Sequence, residues 1–228
     1  MIAPASRGRP KKDAKELEDR KEIILSHACR AFARYGYANM DVEKLASDLG
    51  IGKGTIYRAF PSKQDLFFAT LTRSLGQMSE FITREVESQN AQGVMQIQAG
   101  VRAFLKFFDL NCDVIELFIQ DRAVFPDLES SAFRQHCLRN AERWRAFFAT
   151  LIEQDLIRQL DPHWLGETLN QLLFGQLFLH RLNSDKSTLE SRSQDILTLF
   201  FVGILTQKGL TSACPTFDPA LVYTKEES

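Results

Sequence analysis

"MDVEKLASDLGIGKGTIYRAFPSKQDLF", residues 40–67, holds two short helical runs around the turn Gly50-Ile51-Gly52. Asp41 is placed to cap a helix reaching Leu49, because its short carboxylate can accept from unpaired first-turn amides. Gly50 permits the left-handed backbone that ends such a helix. A second short helix runs from about Lys53 to Ala59. Pro61 breaks the pattern, and Ser62-x-x-Asp65 resembles a capping box opening a long helix to about Ser88. Ala46 sits where the two short helices cross, with Gly50 four residues later and Ile56 six beyond that. Val42, Leu45, Leu49 and Ile51 complete a small core. Lys53, Gly54, Thr55, Tyr57 and Arg58 are left at the start or on the outer face of the second helix. That face is polar, rich in hydrogen-bonding groups and partly cationic, which suits a groove lined by phosphate. "GIGKGT" lacks the Gly-Lys-Ser/Thr ending and preceding strand of a nucleotide phosphate loop.

Outward from this stretch, charge divides the chain. Residues 1–68 carry 13 Lys+Arg against 9 Asp+Glu, net +4, and residues 69–228 carry 15 against 20, net −5. A basic front on an acidic body points to a polyanion partner for the front. Apolar residues recur at helical spacing almost throughout, without strand alternation, so the fold class is all-α. An early stripe of Ile24, His27, Ala28, Ala31, Phe32 and Tyr35 ends at Gly36. Further helical stretches cover roughly 94–110, 112–124, 130–159, 162–182 and 188–208. Asp161-Pro162 reads as N-cap and first helical residue, and Ser187-x-x-Glu190 as another capping box. The spacing predicts a basic arm over 1–17, a helix-turn-helix domain over 18–64, a helical domain over 65–210, to which the resemblance described next assigns regulation and dimerisation, and a tail over 211–228. With no signal-peptide core and no run of about 18 apolar residues, the expected compartment is the cytoplasm. Cys29, Cys112, Cys137 and Cys214 are widely spaced, which suggests structural thiols rather than disulfides or a metal site. No cofactor is expected.

Residues about 18–67 resemble the N-terminal domain of the tetracycline-repressor (TetR) family of bacterial regulators. The likeness rests on "AFARYGYANMDVEKLASDLGIGKGTIYRAFPSKQDLF", with its Tyr-Gly-Tyr corner, Gly-Ile turn, Lys-Gly-Thr-Ile-Tyr recognition helix and Phe-Pro-Ser-Lys exit. The resemblance implies a DNA-binding homodimer whose recognition helices enter successive major grooves of a pseudo-palindromic operator. It also implies that a small molecule in the C-terminal domain changes the helix separation, with repression the usual outcome. By position, Thr55 and Tyr57 resemble the family's phosphate and base-edge contacts, Lys53 a base-reading residue and Lys63 a phosphate anchor. Two departures stand out. Gly52 replaces a hydroxyl residue that often caps the recognition helix, and Asp41 stands where Ser or Thr often meets phosphate. A carboxylate there repels the duplex, so Asp41 is not a DNA contact.

Ahead of this domain, Arg7-Gly8-Arg9-Pro10 is the core of an AT-hook, whose guanidinium groups fit a narrow A/T-rich minor groove. Behind it, 162–182 and 195–209 are apolar on more than one face, beyond the single stripe that one core requires. The expected dimer surface is Leu169, Leu173, Gln176, Leu177, Phe200 and Ile204. Eighteen Phe residues, concentrated over 104–125, point to a largely apolar effector. The candidate pocket residues are Phe104, Phe108, Phe118, Gln120, His136 and Trp144. Two other classes stand beside this reading: a ligand-independent architectural DNA binder and a helical-bundle enzyme. The second lacks support, since none of His27, His136, His163 and His180 has a Glu three residues before it, as a di-iron bundle requires.

Overall fold

The computed structural model describes residues 14–126, 131–183 and 187–212. The chain divides into two compact units, Met1–Thr70 and Leu71–Ser228. Helices dominate the described residues, and none of these helices is long and apolar enough to cross a membrane.

In the first unit, α1 (Ala14–Asn39) buries Ile24, Leu25, Ala28, Cys29 and Phe32 on one face. Tyr35, expected on that stripe, is exposed instead and lies beneath the cations of Arg34 and Lys44, with 5.3 and 5.2 Å to its ring centre. Gly36 breaks the helix with φ 74° and ψ 160°, a conformation essentially confined to glycine. Behind the break, Tyr37 turns its ring onto Phe32 and Phe67, 6.1 and 5.4 Å away between centroids. Burial pushes the Tyr37 hydroxyl above its ordinary pKa.

The second helix, α2 (Val42–Asp48), starts where Asp41 accepts the Glu43 amide at 2.8 Å. It stops at Gly50, whose φ is 63°. There the Gly50 and Ile51 amides bond the Ser47 and Ala46 carbonyls, both at 3.0 Å, and so satisfy two acceptors that the helix end leaves open. The following helix, α3 (Lys53–Ala59), has no side-chain cap, as Gly52 implies. Val42, Leu45, Ala46 and Ile56 are buried between the two, while Leu49 and Ile51 are half-buried. Ser62 then opens α4 (Lys63–Ser88), accepting the Asp65 amide at 3.0 Å and donating its hydroxyl to the Asp65 carboxylate at 2.7 Å.

The second unit centres on α5 (Val94–Leu110), which packs against α6 (Cys112–Val124), α8 (Pro162–Asn183) and α9 (Ser193–Ile204). Buried residues recur on almost every side of α5, from Val94 and Ile97 to Phe107 and Phe108. The most extensive helix pairing is between α7 (Ala132–Glu153) and α8. Asp161 caps α8 as its sequence implies, accepting the His163 amide at 2.9 Å.

Two expected helices are shorter in the structure. α7 ends at Glu153 rather than near 159, because Asp155 takes φ 58° and Ile157 forms an antiparallel bridge with Leu205. The stretch expected as one helix over 188–208 is a 3-10 turn (Glu190–Arg192), α9, and then α10 (Gln207–Ser212). The Leu189 and Glu190 amides are taken by Asp109 of α5, at 2.8 and 2.9 Å. At the break after α9, Thr206 donates its hydroxyl to the Asp155 carbonyl at 2.6 Å. Lys208 donates to the Gln154 carbonyl at 2.7 Å.

Candidate nucleic-acid interface

The surface of α3 follows from the burial of one residue. Ile56 is fully buried and anchors the helix on α2. At 100° per residue, Gly54 and Arg58 stand opposite Ile56, and Lys53, the first residue of the helix, is exposed with them. Thr55 and Tyr57 are half-buried at the margin.

Gly54 is informative because nothing in the fold requires a glycine there. Its backbone is helical, and a β-carbon would meet no atom within 4 Å. Glycine inside a helix costs about 1 kcal/mol relative to alanine. That cost is explicable when the bare backbone must let something outside the chain come close.

The two lysines of this surface already have partners. Lys53 Nζ donates to Glu43 Oε2 at 3.3 Å and lies 6.0 Å from the Tyr57 ring centre. Lys63 Nζ donates to the Ala38 carbonyl at 2.9 Å and sits 5.1 Å from the Tyr37 ring centre. Lys63 therefore ties the start of α4 to the end of α1, a structural duty beside the phosphate contact its position implies. An ammonium has three donors, so one such bond leaves capacity for another acceptor. Sequence reasoning missed Glu43. It lies in the first turn of α2, where an acidic residue is ordinary, and its partner is ten positions away. Arg7 and Arg9 lie outside the described residues.

The candidate pocket residues of the second unit occupy three places. Phe104, Phe108 and Phe118 belong to one aromatic cluster with Phe133 and Phe174, their ring centres 4.5–5.6 Å apart in tilted or edge-on pairs. Gln120 follows on α6 and is half-buried. His136 meets Ser79 of α4 at 3.5 Å and the Asn140 amide nitrogen at 3.2 Å. Burial, with Arg139 as a second cause, holds its imidazole below the ordinary pKa. Trp144 lines a separate groove between α7 and α8 with Cys137 and Gly166. Burial pushes the Cys137 thiol up to about 11, which keeps it protonated and unreactive at neutral pH.

The expected dimer surface requires correction. Leu169, Leu173, Leu177, Phe200 and Ile204 are only 2–5% exposed in the single chain, and Gln176 is half-buried. Their side chains fill the core of their own subunit, so they have almost no area left for a second chain. The apolar residues that do face outward on these helices are Trp164, Phe178, Leu179 and Leu182 of α8 and Leu199 of α9, each 48–67% exposed.

Residues 24–70 match the family described as bacterial regulatory proteins, tetR family. That stretch carries the N-terminal domain of the tetR family. The region behind it is helical, as in the TetR-family regulators whose solved structures the chain resembles in fold. Over 172 residues it is 25% identical to YxaF of Bacillus subtilis, an HTH-type transcriptional regulator, covering 75% of this chain and 90% of that protein. FadR of Bacillus subtilis, solved in complex with stearoyl-CoA, aligns with a TM-score of 0.69 at 18% identity, over 78% of this chain and 95% of that one. A regulator from Saccharomonospora viridis solved with choline aligns at 0.68 and 19% identity, over 83% and 100%. At such identities the structural likeness speaks for the fold alone.

Proposed function

We propose that this TetR-family chain is a homodimeric, ligand-responsive repressor that reads a two-fold-related DNA site through α3. The outward face of α3 carries the reading. Lys53, Gly54 and Arg58 are exposed together around a glycine that the fold itself does not need. In this proposal Lys53 reads a base edge, and Thr55, Tyr57, Arg58 and Lys63 contact backbone or base edges. Gly54 lets the helix approach the groove. Arg7 and Arg9 enter the adjoining minor groove. The dimer forms through the outward apolar face of α8 and α9, namely Trp164, Phe178, Leu179, Leu182 and Leu199.

The effector proposed is largely apolar with one polar group. Its place is the region around Phe104, Phe108, Phe118 and Gln120, with His136 as a polar neighbour. The bound stearoyl-CoA of the Bacillus subtilis FadR structure is consistent with such a ligand class in this fold.

Selection of operators from random DNA, followed by sequencing, tests the reading. A two-fold-related motif with half-sites about one helical turn apart is the expected result. Failure to enrich any sequence, with no binding at low salt, removes it. For the arm, anisotropy titration of Arg7→Ala/Arg9→Ala should show weaker binding and a flatter salt dependence, since phosphate contacts set that slope.

A further inference from the structure

The pairing of Lys53 with Glu43 joins the first turn of α3 to the first turn of α2. Both side chains are exposed, so neither is held there by a need to leave water. Glu43 is itself fixed at its backbone, where its amide donates to Asp41. The Tyr57 ring centre lies 6.0 Å from the ammonium, so Lys53 has both a carboxylate and an aromatic ring beside it.

We propose that Glu43 is a positioning residue for DNA reading, holding the Lys53 ammonium back from the nearest phosphate so that it is spent on a base edge. This rests on the DNA-binding reading above and concerns specificity within it. Lysine carries a compact charge on a flexible stem, and left alone it takes whichever anion is nearest. On DNA that anion is a phosphate, which every sequence offers equally. A carboxylate beside the ammonium opposes this in two ways. It occupies one of the donors of Lys53, and it repels the duplex backbone at every sequence. A base-edge acceptor that meets Lys53 in good geometry repays the lost ion pair, whereas a loosely placed phosphate repays less of it. Exposed ion pairs are weak, so the effect is a several-fold bias rather than a lock.

The experiment is a double-mutant cycle over Glu43→Gln and Lys53→Met in the full-length protein. Each variant is titrated by anisotropy against the selected operator and against a random-sequence duplex of equal length. Glu43→Gln should tighten binding to the random duplex by about three- to tenfold and the operator by less, so that their affinity ratio falls. In the Lys53→Met background the same change should leave the ratio unaltered. Glu43→Asp, which keeps the charge, should restore part of the ratio. An equal gain on both duplexes, or a ratio change that persists without Lys53, means simple charge repulsion and overturns the proposal. A wild-type protein that binds neither duplex overturns the DNA-binding reading itself. Thermal unfolding of each variant shows that the fold is intact.

Discussion

Ser131 donates its hydroxyl at 2.7 Å to the buried carboxylate of Asp121, ten residues earlier. The same hydroxyl accepts the Arg134 amide at 3.1 Å, so one side chain caps α7 and serves one carboxylate oxygen of a buried acid of α6. Burial raises the pKa of Asp121. The Ser131 hydrogen bond, the Ala132 and Phe133 amides and the nearby Arg122 charge pull it down in turn.

Ser131→Ala should therefore cost more than an ordinary cap. Loss of the N-cap and of a donor to a buried carboxylate together amount to about 1–3 kcal/mol. Chemical denaturation measures this, with Ser131→Thr expected close to wild type. An alanine variant as stable as wild type would show that Asp121 finds its donors elsewhere.

Gly54→Ala should move stability and DNA binding in opposite directions. With open space for the methyl group and helical backbone, the fold gains up to about 1 kcal/mol. Binding to the selected operator should weaken about tenfold if the backbone of α3 approaches a groove there. Equal affinity of the two proteins would place the duplex elsewhere.

His136 makes the second unit sensitive to acid. Its folded pKa lies below the ordinary 6.5 of imidazole, so the unfolded chain binds the proton more readily. The associated stability is present above 6.5 and is lost as pH falls from there through the lower folded value. Denaturation of wild type and His136→Gln between about pH 7.5 and 5 should show a steeper fall for wild type. Parallel curves would mean that the proton is accepted without cost.

Phe178→Glu and Leu199→Glu should yield monomers by sedimentation equilibrium without loss of helix content. Each places a charge on an outward apolar position, where a second chain would have to desolvate it. Leu169→Glu, by contrast, puts the charge into the subunit's own core and should unfold the second unit. A wild-type monomer at micromolar concentration would end the dimer proposal.

Features specified by neighbours in sequence were legible beforehand. Asp41, Gly50, Ser62 and Asp161 each act on amides or dihedrals within a few residues, so spacing alone locates them. The inward face of α3 was readable for the same reason. What could not be read depends on distant partners. Asp109 takes the amides that the Ser187-x-x-Glu190 pattern implied were capped locally, and it lies eighty positions from Leu189. The end of α7 depends on Thr206 and Lys208, which nothing between 130 and 159 announces. The apolar excess of 162–182 was visible, but which residues of α8 face inward depends on where α5 and α9 lie. Lys53 was seen as a cation without the carboxylate beside it, because Glu43 had an ordinary helical explanation.

The closures at Asp109 and Lys208 also set an order of events during synthesis. The first compact unit ends at Thr70, whereas the Gln154 carbonyl at the end of α7 meets the Lys208 ammonium only once Lys208 emerges. At about 5–20 residues per second, that interval lasts on the order of ten seconds on the ribosome. Throughout it the nascent chain holds every residue of its basic unit while the acidic unit still lacks that closure, and chains released early should lose stability in the second unit.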